Sequence, residues 1–265
     1  MTHRSTTRRL TAFAAIAAFA AFVPLFAPLG WLLADEPPAA PAVSTFAPAE
    51  DLVSQVQLFL TDFDAALADE AAYADKKDTV ARDAHTLATL AVALGLHDTP
   101  NDLQASAPAL LEAAQDLASA VDYAAAQQAL AAVKQAVAGE ATDGPTLTWN
   151  EKVASLERLM KQVNNVNIRL RRGVRRLDPN KTDENARYAA VLGVIAQAAA
   201  IDTHEVPDRA RDPEWVKYCH DMRDAAGEVN AAIRAADKAA VSAGMTELTQ
   251  SCEACHAAFR VETTE

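Results

Sequence analysis

This sequence predicts an all-α fold of two tandem antiparallel four-helix bundles, and three observations predict it. The chain is 51% hydrophobic but only 6% aromatic, with 8 glycines among 265 residues, and alanine is the largest single part of the apolar fraction. That balance favours helices over a sandwich or barrel, where Val, Ile, Thr and aromatics dominate. Large apolar residues recur in alternating steps of three and four, the narrow stripe of a bundle helix. The chain also repeats itself at a long period, as tandem units do.

The elements follow in order. Arg4, Arg8 and Arg9 precede an apolar run from Leu10 to Ala34, with no acid before Asp35. Residues 1–34 therefore read as a secretory signal peptide. The run is also long enough to cross a bilayer, so an uncleaved N-terminal anchor with membrane association is the alternative, weakened by Pro24 and Pro28. Both readings place the remainder outside the cytoplasm, in a periplasm or otherwise exported. Residues 35–48 are rich in Pro and Ala without helical periodicity and read as a semi-rigid linker. The formal charge of −12 argues against nucleic acid as a partner. Loss of the first 34 residues removes only basic charge, which leaves an acidic exported chain suited to meeting basic partners by electrostatic steering.

Residues 49–143 and 144–265 form the two copies. Asp51–Leu60 aligns with Glu151–Met160 at an offset of 100, pairing Val53 with Val153, Val56 with Leu156 and Phe59 with Leu159. Ala81–Ala84 aligns with Ala186–Ala189 at an offset of 105, and Leu130, Val133 and Gln135 meet Met245, Leu248 and Gln250 at 115. The growing offset means matching helices with longer loops in the second copy. In that copy, Val153, Leu156, Met160, Val163, Leu170 and Val174 mark a first helix. Asp183 to Ile201 forms a second. Asp212 as N-cap and Pro213 at the first helical position open a third through Cys219, Met222, Ala226, Val229 and Ile233. Val241, Met245, Leu248, Cys252, Cys255 and Phe259 mark the fourth. Asp143-Gly144-Pro145 separates the copies.

The chemistry lies in Cys252-Glu-Ala-Cys255-His256. C-x-x-C-H is the attachment motif of c-type haem, in which two thiols take the vinyl groups and the histidine ligates iron. On a helix the three side chains share one face, which here is also the core stripe. A redox C-x-x-C pair would follow a strand in a βαβ unit, and a zinc site would need a second Cys/His pair at suitable spacing; neither pattern is present.

Cys252-Glu-Ala-Cys255-His256-Ala-Ala-Phe259-Arg260 resembles the last helix of the cytochrome c prime family, haem-bearing four-helix bundles with the motif near the chain end. The resemblance covers about residues 148–262. It implies that His256 is the proximal iron ligand, that Phe259 packs on the haem and that Arg260 lies beside the proximal pocket. Leu156-Glu-Arg-Leu-Met160-Lys-Gln-Val-Asn164 is similar to the first helix of the soluble b-type bundle cytochrome, which implies Met160 as the second axial ligand. His/Met ligation raises the potential and fills the sixth position. Read as ordinary core filler, Met160 would instead leave a five-coordinate iron, as in typical cytochromes c prime, able to bind nitric oxide or carbon monoxide.

The first copy has Leu60 at the place of Met160, and Val137, Glu140 and Ala141 at the places of Cys252, Cys255 and His256. It reads as a degenerate bundle without haem, a scaffold or docking surface, so one covalent haem c is expected, bound by the second bundle. Elsewhere, His85 and His97 read as surface or helix-end histidines, His204 as a loop residue and Cys219 as a buried free thiol. Arg169, Arg171, Arg172, Arg175 and Arg176 suit the negative end of a helix dipole, and they also suit haem propionates or an acidic redox partner. No nucleophile–base set, Gly-rich phosphate loop or distal acid/base pair stands out. The expected protein is thus an exported mono-haem electron carrier, not an enzyme, working with redox partner proteins. The family resemblance makes a homodimer possible, though the duplication can take the place of the second subunit.

Overall fold

The computed structural model describes residues 40–260, and among them there are helices and turns but no strand. The predicted signal or anchor segment, 1–34, and the start of the predicted linker lie outside the described residues. Eight α-helices follow one another: α1 (Ala49–Ala66), α2 (Glu70–Gly95), α3 (Ala107–Ala118), α4 (Tyr123–Val137), α5 (Leu156–Val174), α6 (Thr182–Ala199), α7 (Asp212–Arg234) and α8 (Lys238–Phe259). No described helix is long and apolar enough to cross a membrane.

Local chemistry sets the helix starts. Asp69 accepts the N–H of Ala72, Asp122 that of Ala125, and Asp237 those of Ala239 and Ala240, so three helices begin on an acidic N-cap. The predicted start of α7 shifts by one residue. Asp212 is already helical and makes no cap bond, because a 3-10 turn over Arg209–Arg211 runs straight into the helix, closed by Asp208 accepting from Ala210 N–H. Between α7 and α8 the chain reverses through Ala236 at φ 53°.

α2 and α6 form the centre. Every residue from Thr86 to Leu94 is buried, as is every residue from Ala189 to Gln197, which marks helices covered on all sides. Small alanine side chains permit that close approach. α2 packs on α1, α3 and α5, and α6 packs on α5 and α7. α1 also packs against α6 as α5 does against α2, with α2 meeting α6 between them. Exchanging the first four helices for the last four maps this set of contacts onto itself. One apolar core runs through both halves, from Leu52 in α1 to Leu248 in α8.

Two sequence expectations are corrected. Val43, Phe46 and Ala47, within the stretch read as a spacer, are buried. The Phe46 ring sits where Gly193 and Gly227 leave room; a Cβ on Gly227 would lie 2.8 Å from Phe46 Cα. His97 is buried rather than at the surface. Its Nδ1 accepts from Thr99 N–H at 2.9 Å and its Nε2 donates to the Ala47 carbonyl at 3.0 Å, pinning this same segment to the end of α2.

Candidate functional site

α8 lies along α7 and buries Val241, Gly244, Leu248 and Ser251 against the core. Cys252 and Cys255, one turn apart, are half-buried on the edge of that stripe, and both are free thiols. Cys252 packs at the main core, whereas Cys255 packs on a smaller apolar cluster of Leu156, Ala199, Ala200, Val206, Trp215 and Cys219. Burial pushes the Cys252 thiol up and that of Cys255 to about 11. This is the reverse of the depressed pKa that thiol–disulfide exchange needs. The sequence put the whole motif on the core stripe; the structure leaves His256 exposed. Met245, Thr249, Cys252 and His256 follow steps of four, three and four, so the imidazole continues a single row along one side of α8.

The opposite wall is α5. Met160, Asn167, Arg171 and Val174 follow steps of seven, four and three along one side of it. Met160 is half-buried and packs against both the main core and the small cluster that Cys255 joins. Between the two rows runs a groove of about 740 Å³ whose described walls include Arg171, Val174 and Leu177 of α5 and its end, with Val241, Met245 and Thr249 of α8. Met160 from α5 and Cys255 from α8 both pack on the small cluster of Leu156, Ala199, Ala200, Val206, Trp215 and Cys219, which brings the two candidate segments to one part of the bundle.

These residues fit a covalently held porphyrin. Two thiols at i and i+3 with an imidazole at i+4 stand on one helix, and the Met160 thioether packs on the cluster that Cys255 joins. On the same side of α5 as Met160, Asn167 Oδ1 is buried without a hydrogen-bond partner. Among the described residues, no three His, Cys, Asp or Glu side chains gather as a metal-binding group of their own.

Phe259 is held by α7 rather than left free. Its ring meets Trp215 edge-on at 5.4 Å and Tyr218 at 6.2 Å, and the Arg211 guanidinium lies 4.3 Å from its centroid. Arg211 Nη1 donates to the Ala258 carbonyl at 3.1 Å while Nε donates to Glu214 at 2.8 Å. That hydrogen bond holds the Glu214 carboxyl below its ordinary range. The turn before α7 thus clamps the end of α8, fixing the motif's helix from both sides. Arg260 is exposed at the C-cap, its N–H donating to the His256 carbonyl at 3.0 Å. The sequence reading missed Arg211, Trp215 and Tyr218. Their signal was the spacing of Trp215 and Cys219, one turn apart on α7, which puts the indole beside the thiol facing α8.

A family model described as Cytochrome C' matches residues 209–260, which span the clamp, α7 and α8. No curated protein and no solved structure matches the chain. With the all-helical fold, the match supports a haem-binding cytochrome.

Proposed function

We propose that this chain is an exported c-type cytochrome that carries single electrons on one haem, held through Cys252 and Cys255 and ligated by His256 and Met160. The observation that supports the proposal is that Met160 of α5 and Cys255 of the α8 motif pack on one small apolar cluster. Haem bound there supplies the one-electron couple of its iron, at a potential raised by His/Met ligation. The chain's own residues do the rest. Cys252 and Cys255 fix position through two covalent anchors, so affinity does not depend on ligation alone. His256 presents its imidazole from a helix that Arg211, Trp215 and Tyr218 hold still through Phe259. Leu156 and Trp215 form an apolar floor that limits water, which tunes potential. The first half, with Leu60, Val137 and Ala141 at the corresponding places, packs as scaffold and takes no haem.

Expression with the export signal, followed by mass analysis and spectra in both oxidation states, tests this. The expected result is one added tetrapyrrole and a sharp low-spin ferrous α-band that carbon monoxide leaves unchanged. Met160→Ala should then open the sixth position and make the spectrum respond to carbon monoxide. A wild type that is already high-spin and shifts with carbon monoxide supports the second reading, a five-coordinate binder of nitric oxide or carbon monoxide with Met160 as core filler. A protein without added mass refutes both.

A further inference from the structure

The groove between α5 and α8 is lined on one side by Arg171 to Leu177, at the end of α5, and on the other by α8 from Lys238 to Glu253, next to Cys252. Met160, Cys252, Cys255 and His256 are not part of its lining, so it adjoins the proposed haem site without being used by it. It has a basic rim of Arg171, Arg175, Arg176 and Lys238, all exposed, against a single carboxylate, Glu253. Between them the lining mixes apolar Val174, Leu177, Val241 and Met245 with polar Ser242, Thr246, Thr249 and Gln250.

The chain as a whole is acidic, with a net charge of −12, and about half of its described cations, among them Arg158, Lys161 and Arg234, pair with nearby carboxylates. None of the four rim cations lies within ion-pair distance of a carboxylate among the described residues. A helix dipole explains Arg171 and Arg175 at the end of α5, but not Lys238. That residue is the first of α8, where a cation meets the positive end of the dipole and is disfavoured. Four unpaired cations, three of them arginines, therefore gather around one concavity that also offers apolar side chains, and arginine is enriched at interfaces.

We infer that the α5–α8 groove is the docking site for an acidic segment of a redox partner protein, a stretch of carboxylates with apolar anchors laid between the two helices. Charge complementarity selects this occupant. A flat anionic membrane would meet the acidic remainder of the surface and be repelled, whereas a peptide segment enters the concavity and meets only its basic rim. The segment would lie in a groove that reaches Glu253, next to Cys252, bringing its carrier to the haem side of the molecule. The inference deepens the electron-carrier reading and rests on it for what the docked partner exchanges.

The test uses the holoprotein, its haem verified by mass, and a fluorescein-labelled hexaglutamate peptide as probe, followed by anisotropy at low and high salt. Binding is expected, weakening as salt rises. Arg175→Glu with Arg176→Glu should weaken it roughly tenfold, by loss and reversal of two rim charges. Lys134→Glu with Lys217→Glu, the same charge change at exposed sites elsewhere, should leave it within about twofold. Lys238→Glu separates docking from folding, since it suits the α8 dipole and should not lower stability, yet should weaken the peptide. Equal binding by all variants overturns the inference. So does holoprotein that ignores the peptide but sediments with phosphatidylserine vesicles. Either result leaves the haem reading intact, whereas a chain without haem fails before the peptide is added.

Discussion

Asn230 on α7 donates from Nδ2 to Asp51 on α1 at 2.7 Å, across 179 positions of sequence. The same amide donates to the Ala186 carbonyl of α6 at 2.7 Å, and Arg234 bonds the other carboxylate oxygen. Three helices from both halves meet at one buried carboxylate. Asn230→Ala would leave Asp51 and Ala186 short of a donor in the interior, and should cost about 2–3 kcal/mol. Because the core is shared, urea should unfold both halves in one transition, in the variant as in the wild type. Two separated transitions, or a variant of unchanged midpoint, would contradict this relationship.

Asp83 sets a pH dependence. Burial raises its carboxyl pKa above the ordinary value, with Arg82 only partly opposing. The folded state therefore holds this proton to higher pH than the unfolded chain does. Its contribution favours folding at low pH and is lost as pH rises from the unfolded towards the folded pKa. Asp83→Asn removes that loss. The stability of the variant relative to wild type should climb as pH rises above the unfolded carboxyl value of about 4. Arg82 also loses its partner at every pH, so the slope decides and not the level. A flat difference would show that the carboxyl is not raised.

Phe46 and Gly227 are matched in size. Phe46→Ala should cost about 3–5 kcal/mol as a core cavity. Gly227→Ala, whose new Cβ would stand 2.8 Å from Phe46 Cα, should cost about 1–3 kcal/mol as overpacking. Because the new Cβ meets Phe46 Cα and Cβ and Thr45 O, atoms that Phe46→Ala keeps, the ring's removal should not rescue Gly227→Ala. Unchanged midpoints for both single variants in thermal or urea unfolding would mean that the segment before α1 packs elsewhere.

The reciprocal packing of α1 on α6 and α5 on α2 has the form of an isologous contact made within one chain. A surface that meets its counterpart internally is not free to meet a second copy. Mature protein should therefore run as a monomer by light scattering across a wide concentration range. A stable dimer would show that another face carries self-association.

Part of the site was legible because it is local. C-x-x-C-H at helical spacing, the Met160 stripe and the start of α7 to within one residue of Asp212 depend only on near neighbours and a period of 3.6. The contacts that hold them were not. Arg211 over Phe259, His97 on Ala47 and Asn230 on Asp51 join residues far apart in the chain, and no spacing announces them. The predicted spacer failed for the same reason: Pro and Ala without periodicity describe a loop equally well whether it is free or pinned by Phe46.

The sequence by itself determined the helical class, the order of the eight helices and the chemistry available at the carboxyl end, because propensity, stripe and motif are properties of short windows. Only the tertiary structure decided that α2 and α6 form the shared centre of one core, that His256 is exposed, and that a groove between α5 and α8 carries unpaired cations. Those outcomes depend on which apolar faces cover each other, and burial is settled by all eight helices together.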